Sequence, residues 1–269
     1  MKPDAGKPRG ILNPKASGKD FRYSRRFPSP DLDFFVEHYW SVYWDLRGQE
    51  PFLQETLPHP SVHLIFEEGR SRIVGVMQGK FSAFLEGKGQ VFGVKFKPGA
   101  FYPYLKSPVS GLTDGVFSFM EIFGEDGKSL EEKVLSLDDE LKKIELAENF
   151  LHERTPERDE NLVVIGQVAD LIIVDREITK VDDILLRLNL SKRTLQRMFK
   201  QYVGVSPKWM IKRYRLHEAA EQLAAGSVTD WPKMAQDCGY FDQAHFIKDF
   251  KSIVGKSPAE YAKIVAAGS

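Results

Sequence analysis

The sequence is poor in cysteine, has no long apolar run and carries no excess of either charge. Cys238 is the single cysteine in 269 residues, so an intrachain disulfide cannot form, which suits a reducing compartment. No apolar run approaches the roughly 18 residues of a membrane span. The first 19 residues lack the apolar core of a secretory signal. We therefore expect a soluble, cytoplasmic protein without membrane contact.

The length and composition are those of a globular protein with one large domain or two ordinary ones. The chain is 42% hydrophobic and 28% charged. Residues 1–19 are rich in Gly, Pro and Lys and predict a flexible arm. The polar run ERTPERDE (153–160) is typical of a linker. We place a boundary there, between a β-rich domain with a helical linker at 20–157 and an all-α domain at 158–269.

Short segments rich in aromatic and β-branched residues predict strands in the first part of the chain. Gly and Pro separate these segments, a pattern typical of a sandwich or a small barrel. The predicted strands are 35–44, 61–66, 71–77, 80–85 and 90–96. From about residue 117 the apolar period lengthens, and residues 128–153 predict a helical region.

Acidic residues are absent from one stretch of the second part. Between Ile184 and His217 there are nine Lys or Arg and no Asp or Glu, although the whole chain has 38 bases and 38 acids. A cationic helical face is more often a solvated surface than a binding site. It can also be the surface that faces a polyanion, from which acids are excluded because phosphates would repel them.

Helix start and stop signals recur through the C-terminal third. Thr179 and Asp182 predict a capping box before the helix VDDILLRL. Ser191 predicts the N-cap of the next helix, and Gly204 its end. Ser206 with Pro207 predicts the start of a long helix that reaches about residue 225.

An internal repeat accounts for the recurrence of these helix start and stop signals. The segments FKQYVGVSP (199–207) and FKSIVGKSP (250–258) are identical at six offsets. Upstream, the cap Ser191 corresponds to Asp242, and the core residue Leu195 corresponds to Phe246. One helical unit therefore occurs twice, joined by the long helix predicted at 207–225.

Each unit has the pattern of a helix-turn-helix motif. A short helix, a tight turn and a capped amphipathic helix follow one another. The second helix of such a motif enters the DNA major groove. There Arg and Gln can bind guanine and adenine edges in a bidentate manner, and Lys can neutralise phosphate. The sequence therefore predicts double-stranded DNA as a partner.

Residues of about 162–265 resemble the double helix-turn-helix domain of AraC-type bacterial transcription regulators. The resemblance lies in F-K-x-x-x-G-x-S-P twice, in Arg215–Leu216 and Ala219–Ala220, and in G-Y-F-D-Q-A-H-F (239–246). It implies that two units enter successive major grooves, with RNA polymerase and a second copy of the chain (a homodimer) as candidate partners. The residues expected to contact DNA are Lys192, Arg193, Gln196, Arg197, Lys200, Lys208, Gln243, Ala244, His245 and Lys248.

The second unit is the less basic of the two. Asp242 and Asp249 offset Lys248 and Lys251. We therefore expect it to contribute less affinity for DNA than the first unit.

The first domain resembles an uncharacterised domain that occurs fused to AraC-type modules. The resemblance lies in residues 28–40 and 93–100, while L-P-H-P (57–60) departs from the L-P-D-G common in that family. It implies a cupin-like β-barrel that senses a small-molecule effector. Candidate effector-binding residues are Tyr39, Trp40, His59, His63 and Phe96. Aromatic residues in this domain are more often barrel core than pocket lining, so both interpretations stay open.

A metal site is the main alternative for the histidines. His59 and His63 are four residues apart, with Glu55 and His38 nearby in sequence, and would share one face of a strand. However, Pro58 and Pro60 favour a turn, and no H-x-H spacing occurs. We expect no metal, no cofactor and no catalytic residues.

The sequence as a whole predicts an α+β protein. A β-rich, cupin-like N-terminal domain with trailing helices precedes an all-α domain with two helix-turn-helix units joined by a long helix. The predicted function is sequence-specific transcription regulation under the control of an effector, and not enzymatic activity. The alternatives are a cupin-like enzyme whose helical domain only localises it, and an architectural DNA-binding protein without an effector.

Overall fold

The computed structural model describes residues 21–157, 159–226 and 230–268. The flexible arm predicted at 1–19 lies outside the described residues. The strands are β1 (Phe21–Arg26), β2 (Val36–Leu46), β3 (Phe52–Thr56), β4 (His63–Phe66), β5 (Arg72–Val74), β6 (Phe81–Leu85), β7 (Gly87–Phe96) and β8 (Val116–Phe117). The helices are α1 (Tyr102–Leu105), α2 (Phe119–Leu135), α3 (Glu140–His152), α4 (Glu160–Val174), α5 (Val181–Leu188), α6 (Lys192–Met198), α7 (Pro207–Ala224), α8 (Trp231–Asp237), α9 (Gln243–Val254) and α10 (Pro258–Gly268).

The β-rich domain contains two antiparallel sheets. The larger has six strands in the order β1-β2-β7-β4-β5-β8, and β3 pairs with β6 in the smaller. All five predicted strand segments contain an observed strand, whereas β1, β3 and β8 were not predicted. The β-rich fold class is thus confirmed, and the cupin-like arrangement stays a prediction.

Side-chain alternation gives the larger sheet two different faces. On one face Tyr39, Phe92 and Phe96 are almost fully buried in the main hydrophobic core. On the other, Trp40 and Lys95 line an internal cavity. Which face a residue occupies therefore decides whether it can meet a ligand.

Two glycines of β7 make room for the tryptophans of β2. A Cβ added to Gly93 would lie 2.3 Å from the Trp40 ring, and one added to Gly89 would lie 2.2 Å from the Trp44 ring. Glycine permits this close approach because it has no side chain. The two indoles therefore lie flat against the neighbouring strand.

The trailing helical region consists of two helices. Helix α2 ends at Leu135, and α3 begins after Asp139, whose carboxylate accepts hydrogen bonds from the amides of Leu141 and Lys142. Within α2, Gly124 has φ 64 and interrupts the helical backbone. The prediction of trailing helices is confirmed, and the region predicted as helical at 128–153 divides after Leu135 because a strong N-cap, Asp139, starts a second helix.

The helical domain shows the predicted repeat in its backbone. The hydroxyl of Ser191 caps α6 by accepting from the amide of Thr194 at 3.1 Å. The carboxylate of Asp242 caps α9 by accepting from the amide of His245 at 2.8 Å. After each helix a glycine is left-handed, with φ 93 at Gly204 and φ 85 at Gly255. The prediction of two equivalent units is confirmed.

One predicted cap is displaced by a residue. The structure uses the carboxylate of Asp183, not Asp182, to accept from the amides of Thr179 and Lys180 at 3.0 and 2.8 Å. The helix begins at Val181, so Asp183 and not Asp182 is at the third helical position, from which a side chain reaches back to the cap.

The first helix-turn-helix unit shares a core with the β-rich domain. One continuous cluster of buried side chains includes Leu32 of the β-rich domain and Ile211 of α7. The second unit has its own core, to which Leu57 of the β-rich domain contributes. The two parts are therefore joined by shared buried contacts, and the boundary at 157/158 stays a prediction. None of the described helices has the length and apolar character needed to cross a membrane.

Candidate DNA-reading helices and an interdomain cavity

The two helices that follow the turns of the repeat are the candidate reading helices. The first is α6 with its π-helical extension Phe199–Val203, and the second is α9. Their apolar sides are buried, with Leu195 and Phe246 at 0% exposure. All ten residues predicted to contact DNA have exposed side chains. The structure therefore places each of them where a ligand could reach it.

The nine cations of the acid-free stretch do not form one surface. Arg213 and Arg215 are each only 1% exposed. Lys212 is paired with Asp249, and Arg187 with Asp175 at 2.6 Å. The five that remain exposed without a carboxylate partner among the described residues are Lys192, Arg193, Arg197, Lys200 and Lys208. The cationic surface thus coincides with the first reading helix and the start of α7.

Arg215 has a structural role that links α7 to α4. Its guanidinium donates to the carbonyls of Ile172, Asp175 and Ile178, and to the carboxylate of Glu218. These carbonyls lie at or just beyond the C-terminal end of α4, where the helix cannot satisfy its own acceptors. Arg215, one of the residues on which the resemblance to AraC-type regulators rests, therefore holds the connecting helix α7 in place. It is buried and not available to a ligand at the surface.

The second reading helix is tied to α7 by Asp249. The carboxylate pairs with Lys212 and accepts from the hydroxyl of Tyr240 at 3.0 Å. Asp249 therefore faces α7, whereas Asp242 at the start of α9 is exposed. Asp249 pairs with Lys212, not with Lys248 or Lys251, and the lower DNA affinity of the second unit stays a prediction. Phe241, just before the helix, is fully exposed and was not singled out from the sequence.

A large cavity lies between the β-rich domain and the connecting helix. Its volume is about 1230 Å³. The face of the larger sheet that carries Trp40 and Lys95 forms one wall, and α7 contributes Arg213 and His217 to the opposite wall. The cavity is therefore an interdomain feature and not the interior of a closed barrel.

Three of the five candidate effector-binding residues line this cavity. They are Trp40, His59 and His63. Tyr39 and Phe96 do not, because strand alternation turns them to the opposite face, where they are 1% and 0% exposed. For these two residues the core interpretation is the one that the structure supports.

Lys95, His59 and Arg213 meet at one end of the cavity. His59 Nδ1 lies 3.4 Å from Lys95 Nζ and 3.2 Å from a terminal nitrogen of Arg213. Arg213 also donates through Nε to the carbonyl of Pro58. The turn at 57–60, where the sequence departs from the related pattern, is therefore the place where α7 meets the β-rich domain.

Burial determines the protonation of this cluster. It lowers the pKa of His59 well below its ordinary value, and Lys95 and Arg213 lower it further. Burial likewise lowers the pKa of His63 to about 3. It also lowers the pKa of Lys95, against the attraction of Glu37. The imidazoles are thus neutral, and the positive charge of the cluster resides on Lys95 and Arg213.

Other chemistry at the sequence-derived candidates is limited. Among the described residues, no three His, Cys, Asp or Glu side chains come close enough together to hold a metal ion. Burial raises the pKa of Cys238 to about 12, so its thiol stays protonated and packs as a small side chain against the core of the second unit.

Two family models match the chain. One, described as Helix-turn-helix domain, matches residues 185–264, and the other, described as Domain of unknown function (DUF6597), matches residues 24–118. Among curated proteins, the uncharacterised HTH-type transcriptional regulator YisR of Bacillus subtilis is 34% identical over 91 residues, 34% of this chain and 31% of that protein. The raffinose operon transcriptional regulatory protein RafR of Pediococcus pentosaceus is 32% identical over 83 residues, 31% of this chain and 30% of that protein. The chain thus spans about a third of the length of these relatives.

Solved structures give weaker similarities. A probable AraC family transcriptional regulator from Rhodopseudomonas palustris CGA009 is 25% identical, covers 37% of this chain and 94% of its own, and has a TM-score of 0.34. ToxT from Vibrio cholerae O395 is 12% identical, covers 92% of this chain and 98% of its own, and has a TM-score of 0.36. At such TM-scores neither similarity carries an inference about this chain. What the comparisons show is a match of residues 185–264 to a helix-turn-helix domain and a match of residues 24–118 to a domain of unknown function.

Proposed function

We propose that the protein is a sequence-specific transcription regulator that binds two successive major grooves of double-stranded DNA. The observation that carries this proposal is the repeat. Two capped helices with exposed polar faces, α6 and α9, are joined by the single helix α7. Contacts of Arg215 with α4 and of Lys212 with α9 hold that helix in place. Two helices held in this way suit two grooves on one side of the duplex.

Charge supports the assignment of the first unit as the stronger DNA-binding element. Its exposed cations Lys192, Arg193, Arg197 and Lys200 have no acidic partner in the described part of the chain. Such charges are free to replace the counterions of DNA. The second unit offers Gln243, His245 and Lys248, which suit base contacts with less net charge.

Base contacts by both units can be tested by selection of bound sequences. Arg197→Ala should relax the preference at one position and cost about 1–3 kcal/mol of binding free energy. His245→Ala should relax a position roughly one helical turn, about 10 base pairs, away. Lys142→Ala, at an exposed site on α3, is the matched control. Changes at the same base pairs, or no change for His245→Ala, would mean that one unit alone contacts bases.

Phosphate contacts can be tested by the salt dependence of binding. Lys200→Ala and Lys208→Ala should weaken binding to all sequences alike. Each should lower the slope of log K against log salt by about one unit. An unchanged slope in both variants would show that the surface formed by Lys200 and Lys208 does not contact the DNA phosphates.

We further infer that the β-rich domain controls DNA binding through a small molecule. The support is the cavity, which is lined by both the larger sheet and the connecting helix α7. Ligand sites often occur at such domain interfaces. The protein would act in the cytoplasm, and RNA polymerase and a second copy of the chain stay predicted partners.

A further inference from the structure

We propose that the interdomain cavity binds a small organic carboxylate whose anionic group lies between Lys95 and Arg213. As the identity of an effector, this inference rests on the proposed regulatory function. As a binding site, it rests on the geometry of the cavity alone. Lys95 belongs to strand β7 and Arg213 to helix α7, so the ligand joins the two domains directly.

Arg213 is a buried cation on which Glu37 and Glu221 act electrostatically only from beyond ion-pair distance. Its side chain is 1% exposed, and its hydrogen-bond partners are the carbonyl of Pro58 and Nδ1 of His59. None of the described residues brings a carboxylate within ion-pair distance of it. A buried guanidinium is normally paired with an anion, because desolvation of an isolated charge is costly. The cavity that Arg213 lines offers room for that anion.

Each acid that lines the cavity is already paired with a base. Glu37 pairs with Lys95 at 2.9 Å, and Glu67 with Arg72 at 2.7 Å. Glu218 pairs with Arg215 at 2.7 Å, and Glu221 with His217 at 3.1 Å. Glu37 balances the charge of Lys95, so the end formed by Lys95 and Arg213 keeps one uncompensated positive charge, that of Arg213, which an anionic ligand would balance.

Two further groups offer hydrogen bonds to a ligand. The hydroxyl of Ser61 and the indole N–H of Trp40 are buried and have no hydrogen-bond partner in the part of the chain that the structure describes. Both residues line the cavity, and Ser61 is only 3% exposed. Buried polar groups of this kind are usually satisfied. Carboxylate oxygens accept hydrogen bonds and do not donate them, so they suit such a site.

The remaining walls favour an apolar body for the ligand. Strands of both sheets contribute Val42, Ile65, Phe81, Leu85 and Val91 to the lining. A cavity of about 1230 Å³ is large enough for a molecule of drug-like size, for which apolar walls with a few polar groups are typical. The ligand class is thus a carboxylate with an aromatic or aliphatic body, and not a sugar or a metal ion.

The test compares carboxylates with their neutral primary amides on the purified full-length protein without DNA. Indole-3-acetate and octanoate should raise the melting temperature, by about 5 °C or more at roughly 100 times Kd. Indole-3-acetamide and octanamide should give little or no rise. Equal shifts for acid and amide, or no shift with either carboxylate, would overturn the proposal. Because no DNA is present, failure here leaves the DNA-binding proposal to its own tests.

Variants locate the anionic group. Arg213→Gln should weaken carboxylate binding at least about tenfold. Lys97→Gln, which removes a cation of the β-rich domain that is 40% exposed and pairs with Asp33, should leave binding unchanged. Equal losses in both variants would contradict the assignment.

Two variants of His59 keep the test decisive if Arg213→Gln fails to fold. His59→Asp places a carboxylate beside Lys95 and Arg213, whereas His59→Asn places a neutral group of similar shape there. The Asp variant should melt at a higher temperature than the Asn variant and should no longer bind the carboxylates. If the Asp variant melts lower than the Asn variant, the site does not accept an anion and the proposal fails.

Discussion

Single residues decide what this molecule can bind, and the neutral histidines of the cavity show how. His59 Nδ1 faces the ammonium of Lys95 and the guanidinium of Arg213. A proton on that nitrogen would face two donors and two positive charges. His63 is edge-on to the Trp40 ring, with centroids 6.3 Å apart, in surroundings that lower its pKa to about 3. The fold therefore holds both imidazoles in their neutral form.

This arrangement predicts a dependence of stability on pH. In the unfolded chain a histidine takes up a proton near its ordinary pKa of about 6.5, whereas folded His63 does so only at about 3. Between these values the unfolded state binds more protons, so the unfolding free energy falls as the pH is lowered. The slope is at most about 1.4 kcal/mol per pH unit for each such histidine. Urea unfolding at pH 7, 6 and 5 should show this fall, and His63→Gln should reduce it; a flat profile in the wild type would contradict the prediction.

Arg215 illustrates how a cation can be structural within an otherwise DNA-facing stretch. Arg215→Lys keeps the charge but cannot reach three carbonyls and Glu218 together. We expect the unfolding free energy to fall by about 2–3 kcal/mol, measured by urea denaturation, with an unchanged salt slope for DNA binding. Arg193→Lys, at an exposed site, should change stability by less than about 0.5 kcal/mol. A lower salt slope of DNA binding for Arg215→Lys would contradict this prediction, because it would show that Arg215 contacts a DNA phosphate.

Elements of the helical domain could be predicted from the sequence because their boundaries depend on local chemistry. Ser191 and Asp242 cap helices through their own side chains, and Gly204 and Gly255 adopt backbones that favour glycine. The edge strand β1 was not predicted because its sequence FRYSRR is too charged to show the pattern of a strand. The faces of β2 could be separated only once its partners and its neighbouring helices were known.

Gly204 allows a test of how the elements are joined, because it connects the first reading helix to the β-rich domain. Thr113 donates its hydroxyl to the carbonyl of Gly204 at 2.7 Å. A Cβ at Gly204 would lie 2.9 Å from that hydroxyl and 3.0 Å from the carbonyl oxygen of Val109. Gly226 has a similar left-handed backbone, but no atom of the described residues comes within 4 Å of its Cβ position. It therefore serves as the matched control.

Both substitutions should destabilise the protein, but to different degrees. Gly226→Ala should cost about 1–2 kcal/mol for the left-handed backbone alone. Gly204→Ala should cost a further 1–3 kcal/mol or so, because the methyl group meets backbone that cannot easily move. Chemical denaturation of both variants measures the difference. Equal losses of unfolding free energy in the two variants would show that Val109 can move away from an added methyl group at position 204 at no energetic cost.

At the scale of the whole molecule, the β-rich domain contacts equivalent points of both repeat units. Thr113 and Val109 meet Gly204 at the end of the first reading helix. Lys80 lies against Gly255 at the end of the second, and Glu55 pairs with Lys80 and with Lys256. These contacts could not be predicted from the sequence, since residues such as His59 and Arg213 are 154 positions apart and no local pattern links them. The same reason explains why the cavity between the domains was not foreseen.

This double attachment predicts that the β-rich domain helps to set the spacing of the DNA segments that the protein accepts. Glu55 is 3% exposed, and although burial alone would raise its pKa, Lys80 and Lys256 hold it below its ordinary value. Glu55→Gln removes the charge that holds the second unit to the β-rich domain and leaves that unit attached mainly through α7. DNA whose two segments are moved one or two base pairs from the preferred spacing should then lose about 2–10-fold less affinity than it does with the wild type. Competition binding with a series of spacings measures this, with Glu50→Gln, at an exposed site of the same domain, as the control. Identical spacing profiles for Glu55→Gln and the wild type would show that α7 alone fixes the distance between the two reading helices.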